Sequence, residues 1–249
     1  MYLEELFGLN GKVILVTGGS KGIGKAVSLG LAKAGADIAV FSRNGADETV
    51  QAVEAAGRKA RSYIVDVTKE AEVEQGIQNV LKDFGSLNGV FNNVGAGLNK
   101  DTTDMTAEEF RQTIDINLVG EFIVARTAGA AMLERGINGS IVNNASMSGH
   151  IVNNPSWMVG YNSSKAGIIH MTRCLAAEWA KKGIRVNSIS PGYIEPHFHE
   201  WRETWIQQVP MGRLGEPEEL IGTVICLLSD SSSYTTGADI VVDGGYCCL

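Results

Sequence analysis

Thr17-Gly18-Gly19-Ser20-Lys21-Gly22-Ile23-Gly24, set between the apolar run KVILVT (12–17) and a stretch of helical spacing (22–34), decides the fold. A β-branched run that stops at glycines and passes into a 3.6-residue apolar rhythm reads as strand, tight turn and helix. Glycines there let the backbone turn sharply and approach a bound group closely, and the first amides of the helix point at that group. The spacing G-x-x-x-G-x-G differs from the common dinucleotide fingerprint, G-x-G-x-x-G. Its place after the first strand of a βαβ unit nevertheless predicts a nucleotide pyrophosphate held by Gly18, Ser20, Lys21, Gly22, Ile23 and Gly24.

Outward from this turn, similar runs recur at DIAVFS (37–42), RSYIVD (61–66), NGVFNN (88–93), SIVNNA (140–145), RVNSIS (185–190) and DIVVDG (239–244). Helical spacing fills 22–34, 47–57, 69–84, 106–135, 161–182 and 216–229. The short runs are too apolar for one-face alternation and read as parallel strands buried on both faces. The βαβα rhythm predicts an α/β, doubly wound (Rossmann) parallel sheet with helices on both faces and ligands at the carboxyl ends of the strands. With no linker or repeat, residues 1–249 read as a single domain. Residues 190–215, with Pro191, Pro196, Pro210 and two tryptophans, read as a long ordered loop of the kind that forms a substrate lid.

Composition narrows the partners. Hydrophobic residues make up 44% of the chain and charged ones 20%, enough for one large core, and the net charge of −7 argues against nucleic acid or an anionic membrane surface. A small molecule fits better. The opening MYLEELFGLNGK carries Glu4 and Glu5, and no apolar run approaches the roughly 20 residues of a bilayer span, so a cytoplasmic protein is expected. Cys174, Cys226, Cys247 and Cys248 form no C-x-x-C pair, and no disulfide framework is expected. Glu195-Pro196-His197-Phe198-His199 alternates ligand types on one face of an extended segment, the pattern of a zinc or iron site, but the segment reads as a mobile loop and no metal is assigned.

The end of the second strand chooses the nucleotide. A carboxylate there would take a ribose 2′-hydroxyl; instead the chain reads Phe41-Ser42-Arg43-Asn44. Arg43 can form a bidentate pair with a 2′-phosphate and Lys21 adds a second positive charge, which favours NADP(H). Asp66, at the end of the third strand, could accept from an adenine amino group or simply cap a turn.

Tyr161-Asn162-Ser163-Ser164-Lys165 opens a long helix, where residues four apart share a face. An ammonium beside a phenol favours release of its proton and suits Tyr161 to general acid/base work. Ser146-Met147-Ser148-Gly149 follows the fifth strand; Ser146 is the better placed to hold a substrate oxygen, with Ser148 the alternative. Asn117, polar within an apolar helical run, must find buried partners, and water joining it to Lys165 would make a proton relay.

Taken together, TGGSKGIG (17–24), Asp66-Val67, NNVG (92–95), Asn117, Ser146, YNSSK (161–165), PGYI (191–194) and VDGG (242–245) resemble the short-chain dehydrogenase/reductase family over nearly the whole chain. The resemblance implies a seven-stranded sheet and an Asn117/Ser146/Tyr161/Lys165 tetrad acting on an alcohol or carbonyl substrate. It also implies that Asn93 and Ile194 line the cofactor, that Lys165 holds the nicotinamide ribose, and that a homotetramer or dimer packs through the helices around 106–135 and 161–182. Two positions depart from the family: Val94 stands where Ala is usual, and Pro196 where a Thr hydroxyl is usual. ASMSGHIVNNP (145–155) and the tail (236–249) look most like polyol and ketose reductases of the sorbose reductase and mannitol 2-dehydrogenase type. His150, Asn153, Asn154, Glu195 and His197 are then candidates for sugar hydroxyls. A reductase of 3-oxoacyl thioesters and a non-catalytic NADP(H) sensor are the competing readings; the complete tetrad speaks against the sensor.

Overall fold

A computed structural model describes residues 2–195 and 200–248. Seven parallel strands, β1 Val13–Thr17, β2 Asp37–Ser42, β3 Ala60–Ile64, β4 Gly89–Asn92, β5 Ser140–Asn144, β6 Arg185–Pro191 and β7 Asp239–Val242, lie in the order β3-β2-β1-β4-β5-β6-β7. The reversal between β1 and β4 opens the crevice at the carboxyl edge where ligands bind in such sheets.

Strand pleating sends alternate residues to opposite faces. Leu15, Phe41, Val90, Ile141 and Val186 pack beneath helices α4 (Glu70–Phe84), α6 (Gly120–Glu134) and α7 (Val159–Trp179). Ile14, Val16, Ile38, Phe91 and Val142 pack against α2 (Gly22–Lys33), α3 (Asp47–Ala55) and α9 (Ile221–Leu228) on the other side. This is the expected doubly wound fold.

Five details differ from the sequence expectation. The chain enters through a short helix, α1 (Tyr2–Phe7), that contributes no buried residue and so leaves no apolar face to read. The third strand ends at Ile64, leaving Val65 and Asp66 in the loop beyond it. The single helix expected over 106–135 is α5 (Ala107–Ile114), a π-helical turn at Asp115–Val119, and α6. Its start is fixed by a capping box in which Thr106 and Glu109 satisfy each other's backbone amides. This stretch, Ala107–Glu134, is also long and apolar enough to cross a bilayer, contrary to expectation, but more than half of its most apolar 18-residue window is buried within this fold, as in the core helix of a globular domain. Finally, the stretch 190–215, expected as a loop, holds α8 (Arg202–Gln208), whose Trp205 is buried. The Pro196/His197/His199 pattern lies outside the described residues.

Candidate active site

The glycine-rich turn behaves as its spacing demands. Gly18 and Gly22 adopt φ of +67° and +54°, a region costly for any side chain, and a Cβ on Gly24 would stand 2.4 Å from the Gly18 carbonyl. The turn is pinned from outside: Thr49 Oγ1 donates to the Gly19 carbonyl at 2.8 Å, and the Gly18 amide donates to the Phe41 carbonyl at 2.8 Å. Gly18, Ser20, Lys21, Gly22 and Ile23 line a cleft of about 750 Å³. Gly24 lies buried beneath, where it allows the close approach of helix to strand.

Ser42, Arg43, Asp66 and Val67 line the cleft beyond β2 and β3. Arg43 is exposed. Asp66 Oδ1 accepts from the Thr68 amide at 3.0 Å and the Thr68 hydroxyl at 2.8 Å. Its partial burial opposes ionisation, but these bonds, with the charges of Arg43 and Lys69, outweigh that and hold the carboxyl below its usual range. Asn93 also faces the cleft; its Nδ2 donates to the Thr17 carbonyl at 3.1 Å and its Oδ1 accepts from Asn144 Nδ2 at 2.9 Å, which ties the ends of β1 and β5.

The first turns of α7 carry Tyr161 into the same cleft. Lys165, one turn on, is buried, with its Nζ 5.6 Å from the centre of the Tyr161 ring. The Nζ donates to the Asn144 carbonyl at 2.6 Å. Ser146 and Ser148 both line the cleft; Ser146 Oγ accepts from the Ser148 amide at 3.1 Å, which leaves its own proton to donate.

Asn117 stands behind the cleft wall, fully buried in the π-turn. Its Oδ1 accepts from the Ala96 amide at 2.8 Å, and its Nδ2 donates to the Ala96 carbonyl and to Ser164 Oγ, both at 2.9 Å. The extra residue of a π-turn is a device for aiming a side chain, and here it clamps the loop after β4. A Cβ on Gly95 would lie 3.5 Å from Lys165 Nζ and 3.6 Å from Asn117 Oδ1, so the two groups border one small space.

Across the cleft, Gly192 and Tyr193 form the wall after β6. Ile194 is buried outside this lining and bridges to Gly215. Tyr193 stacks on Trp205 with ring centres 4.2 Å apart and accepts from Asn153 Nδ2 at 3.1 Å. Asn153 is buried in the lining, and its Oδ1 has no hydrogen-bond partner among the described residues. His150 instead pairs with Asp239 at 2.7 Å, Asn154 lies outside the lining, and Glu195 pairs with Arg202.

Three contributors were not evident from sequence. Asn144 supplies a backbone carbonyl, which no side-chain pattern reports. Ser164 is an ordinary helix residue until Asn117 is seen against it. Glu121 lies 3.6 Å from Lys165 Nζ with its carboxylate sealed from solvent; its signal was a carboxylate four residues after Asn117 in an apolar run.

Residues 18–247 match a family model described as enoyl-(acyl carrier protein) reductase. A probable NADP-dependent mannitol dehydrogenase of Yarrowia lipolytica is 42% identical over 99% of this chain and 91% of its own length. A sorbose reductase of Candida albicans is 40% identical over 98% and 90%. The crystal structure of a short-chain type dehydrogenase/reductase from Mycobacterium marinum superposes with a TM-score of 0.97 at 40% identity, covering 98% of this chain and 99% of that one. The chain belongs to the short-chain dehydrogenase/reductase family of oxidoreductases.

Proposed function

We propose that this chain interconverts a secondary alcohol and a ketone with NADP(H), and that its substrates are polyols and ketoses. The observation that carries the reading is that Tyr161, Lys165 and Ser146 meet the glycine-rich turn in one cleft. The names of the relatives above, which describe polyol and ketose oxidoreductases, support the substrate class.

The residues present fit a dinucleotide phosphate. Gly18 and Gly22 hold the positive φ that the tight turn requires, at the N-terminus of the 12-residue helix α2, where helix amides suit a phosphate. Gly18, Ser20, Lys21, Gly22 and Ile23 would hold the pyrophosphate, Ser42 and Arg43 the 2′-phosphate, and Asp66 and Val67 the adenine. Asn93 and Lys165 would hold the nicotinamide riboside, with the backbone near Ile194 toward its carboxamide. When bound, the reduced cofactor supplies a hydride to the carbonyl carbon.

This chain's own groups manage the oxygen. In reduction Tyr161 gives its proton to the carbonyl oxygen while the Ser146 hydroxyl donates a hydrogen bond to it. Lys165, fixed on the Asn144 carbonyl, keeps a positive charge near the phenol. Asn117 Oδ1 has a second lone pair beyond its bond to Ala96, and the space it shares with Lys165 suits a proton path inward. The cationic Lys21 and Arg43 lie beside the glycine turn and β2, away from the wall formed by Asn153 and Tyr193, which favours a neutral hydroxylated substrate over a thioester on an acidic carrier.

The test is NADPH oxidation against ketoses, 2-ketogluconates, diketones and 3-oxoesters. Ketoses should give the highest kcat/KM; a strong preference for 3-oxoacyl thioesters would overturn the substrate class. A homotetramer or dimer in the cytoplasm belongs to the same proposal. The outward apolar Val119 and Phe122 on the Asp115–Glu134 stretch support self-association, and four free cysteines support a reducing compartment. Light scattering and cell fractionation test these two points.

A further inference from the structure

Two helical pairs face each other beneath the cleft: Tyr161 and Lys165 on α7, and Asn117 and Glu121 across the π-turn into α6. The first three have the tasks described above. Glu121 has none, although its carboxylate is fully buried 3.6 Å from Lys165 Nζ. That separation is an ion-pair contact but too long for a hydrogen bond, and both carboxylate oxygens lack a hydrogen-bond partner among the described residues. A carboxyl buried this way costs free energy, more so when ionised, and an apolar side chain would fill the same volume without that cost.

We infer that Glu121 is a positioning residue of the reaction: a buried counter-charge whose protonation state sets the pull of Lys165 on the Tyr161 phenol. The inference rests on the roles given to Tyr161 and Lys165 above. With Glu121 protonated, the Lys165 charge is uncompensated and favours loss of the phenol proton. With Glu121 ionised, the two charges offset and Tyr161 keeps its proton, the form that reduction needs.

The surroundings leave this exchange undisturbed. From α7, Lys165 is the charged neighbour, with the Tyr161 ring beyond it. From β4, Asn92 donates to the Glu121 backbone carbonyl at 2.8 Å and to Asn143 Oδ1 of β5 at 3.4 Å; both amides are neutral. On the outer side, Glu70 and Glu74 of α4 are engaged by Arg126, and Asp115 is exposed. Burial pushes the Glu121 carboxyl up to about 8 against the opposing pull of Lys165, which brings its change of charge close to neutral pH.

The experiment compares pH profiles of kcat/KM for wild type, Glu121→Gln and Glu121→Asp in both directions. Glu121→Gln should move the alkaline limb of ketone reduction and the acidic limb of alcohol oxidation to lower pH, each by on the order of one unit. Glu121→Asp, which keeps a carboxylate farther from Lys165, should restore part of the shift. Unmoved limbs in Glu121→Gln would reduce Glu121 to a packing residue and overturn the inference. Should that variant not fold, infrared titration of the wild type decides: a protonated carboxyl at neutral pH that ionises along with the reduction limb supports it. Absence of such a band overturns it. Failure of the underlying reading shows separately, as wild-type turnover in Tyr161→Phe.

Discussion

The two halves of the cleft are built by different means. On the β1–β3 side, recognition is by backbone: glycines at positive φ, helix amides and strand ends, with Arg43 the chief side chain. On the β5–β7 side it is by side chains brought from distant parts of the chain: Asn153 against Tyr193, and Tyr193 stacked on Trp205 and set edge-on to Tyr246. Burial raises the Tyr193 phenol to about 12, so it remains a neutral hydroxyl on this wall. The first half can serve any enzyme that takes the same cofactor, while the second has to fit one class of substrate. Changes in the two halves should therefore separate kinetically.

The largest effect belongs where the halves meet. Tyr161→Phe should lower kcat by about a hundred- to ten-thousandfold, because Phe keeps the packing and loses the proton. Fluorescence titration should find its NADPH dissociation constant near that of wild type. Retention of a tenth of wild-type turnover would remove Tyr161 from the mechanism. Next comes the β2 side: Arg43→Ala should weaken NADPH binding by roughly ten- to a hundredfold through loss of a charge-assisted bidentate contact, and leave NADH almost unaffected. Adding Ser42→Asp should turn preference toward NADH by repelling the phosphate and offering the ribose an acceptor. Measured at fixed ionic strength, equal weakening of both cofactors would show Arg43 to be only a surface charge.

Asn153→Ala probes the opposite wall. Its free Oδ1 is the kind of buried acceptor a sugar hydroxyl satisfies, so KM for the best ketose should rise by roughly three- to tenfold with NADPH affinity unchanged. A parallel loss of cofactor affinity would merge the halves that the comparison separates.

These contrasts also explain what could be read in advance. The glycine turn, the strands and the Tyr161/Lys165 pair are local patterns, in which a few adjacent residues dictate both conformation and chemistry. The wall at Asn153 and Tyr193 joins residues 40 positions apart, and Asn154 next door was an equal candidate until burial separated them. His150 showed the same limitation: its Asp239 partner lies 89 residues away and turns it from a substrate group into part of the β6–β7 edge. The π-turn was hidden because its cause, the bonding of Asn117 to Ala96 and Ser164, is tertiary.

A smaller effect concerns stability. Glu121 moves from 4.5 to about 8 on folding, so the folded state binds the extra proton between those values. Wild type should thus lose stability relative to Glu121→Gln as pH rises across that window, with no further loss above it. Thermal melts of both proteins from acid to mildly alkaline pH check the sign; a difference independent of pH would mean that the carboxyl titrates alike in both states.

The central claim, hydride transfer between NADP(H) and a ketose or polyol, is tested most directly by following the label from NADPH deuterated at its transferable position. Incubated with the best ketose and analysed by NMR, the polyol product should carry deuterium at the new carbinol carbon, in one configuration, and Tyr161→Phe should give almost none. Polyol formation without the label, or label appearing only in a 3-oxoacyl thioester product, would contradict the account.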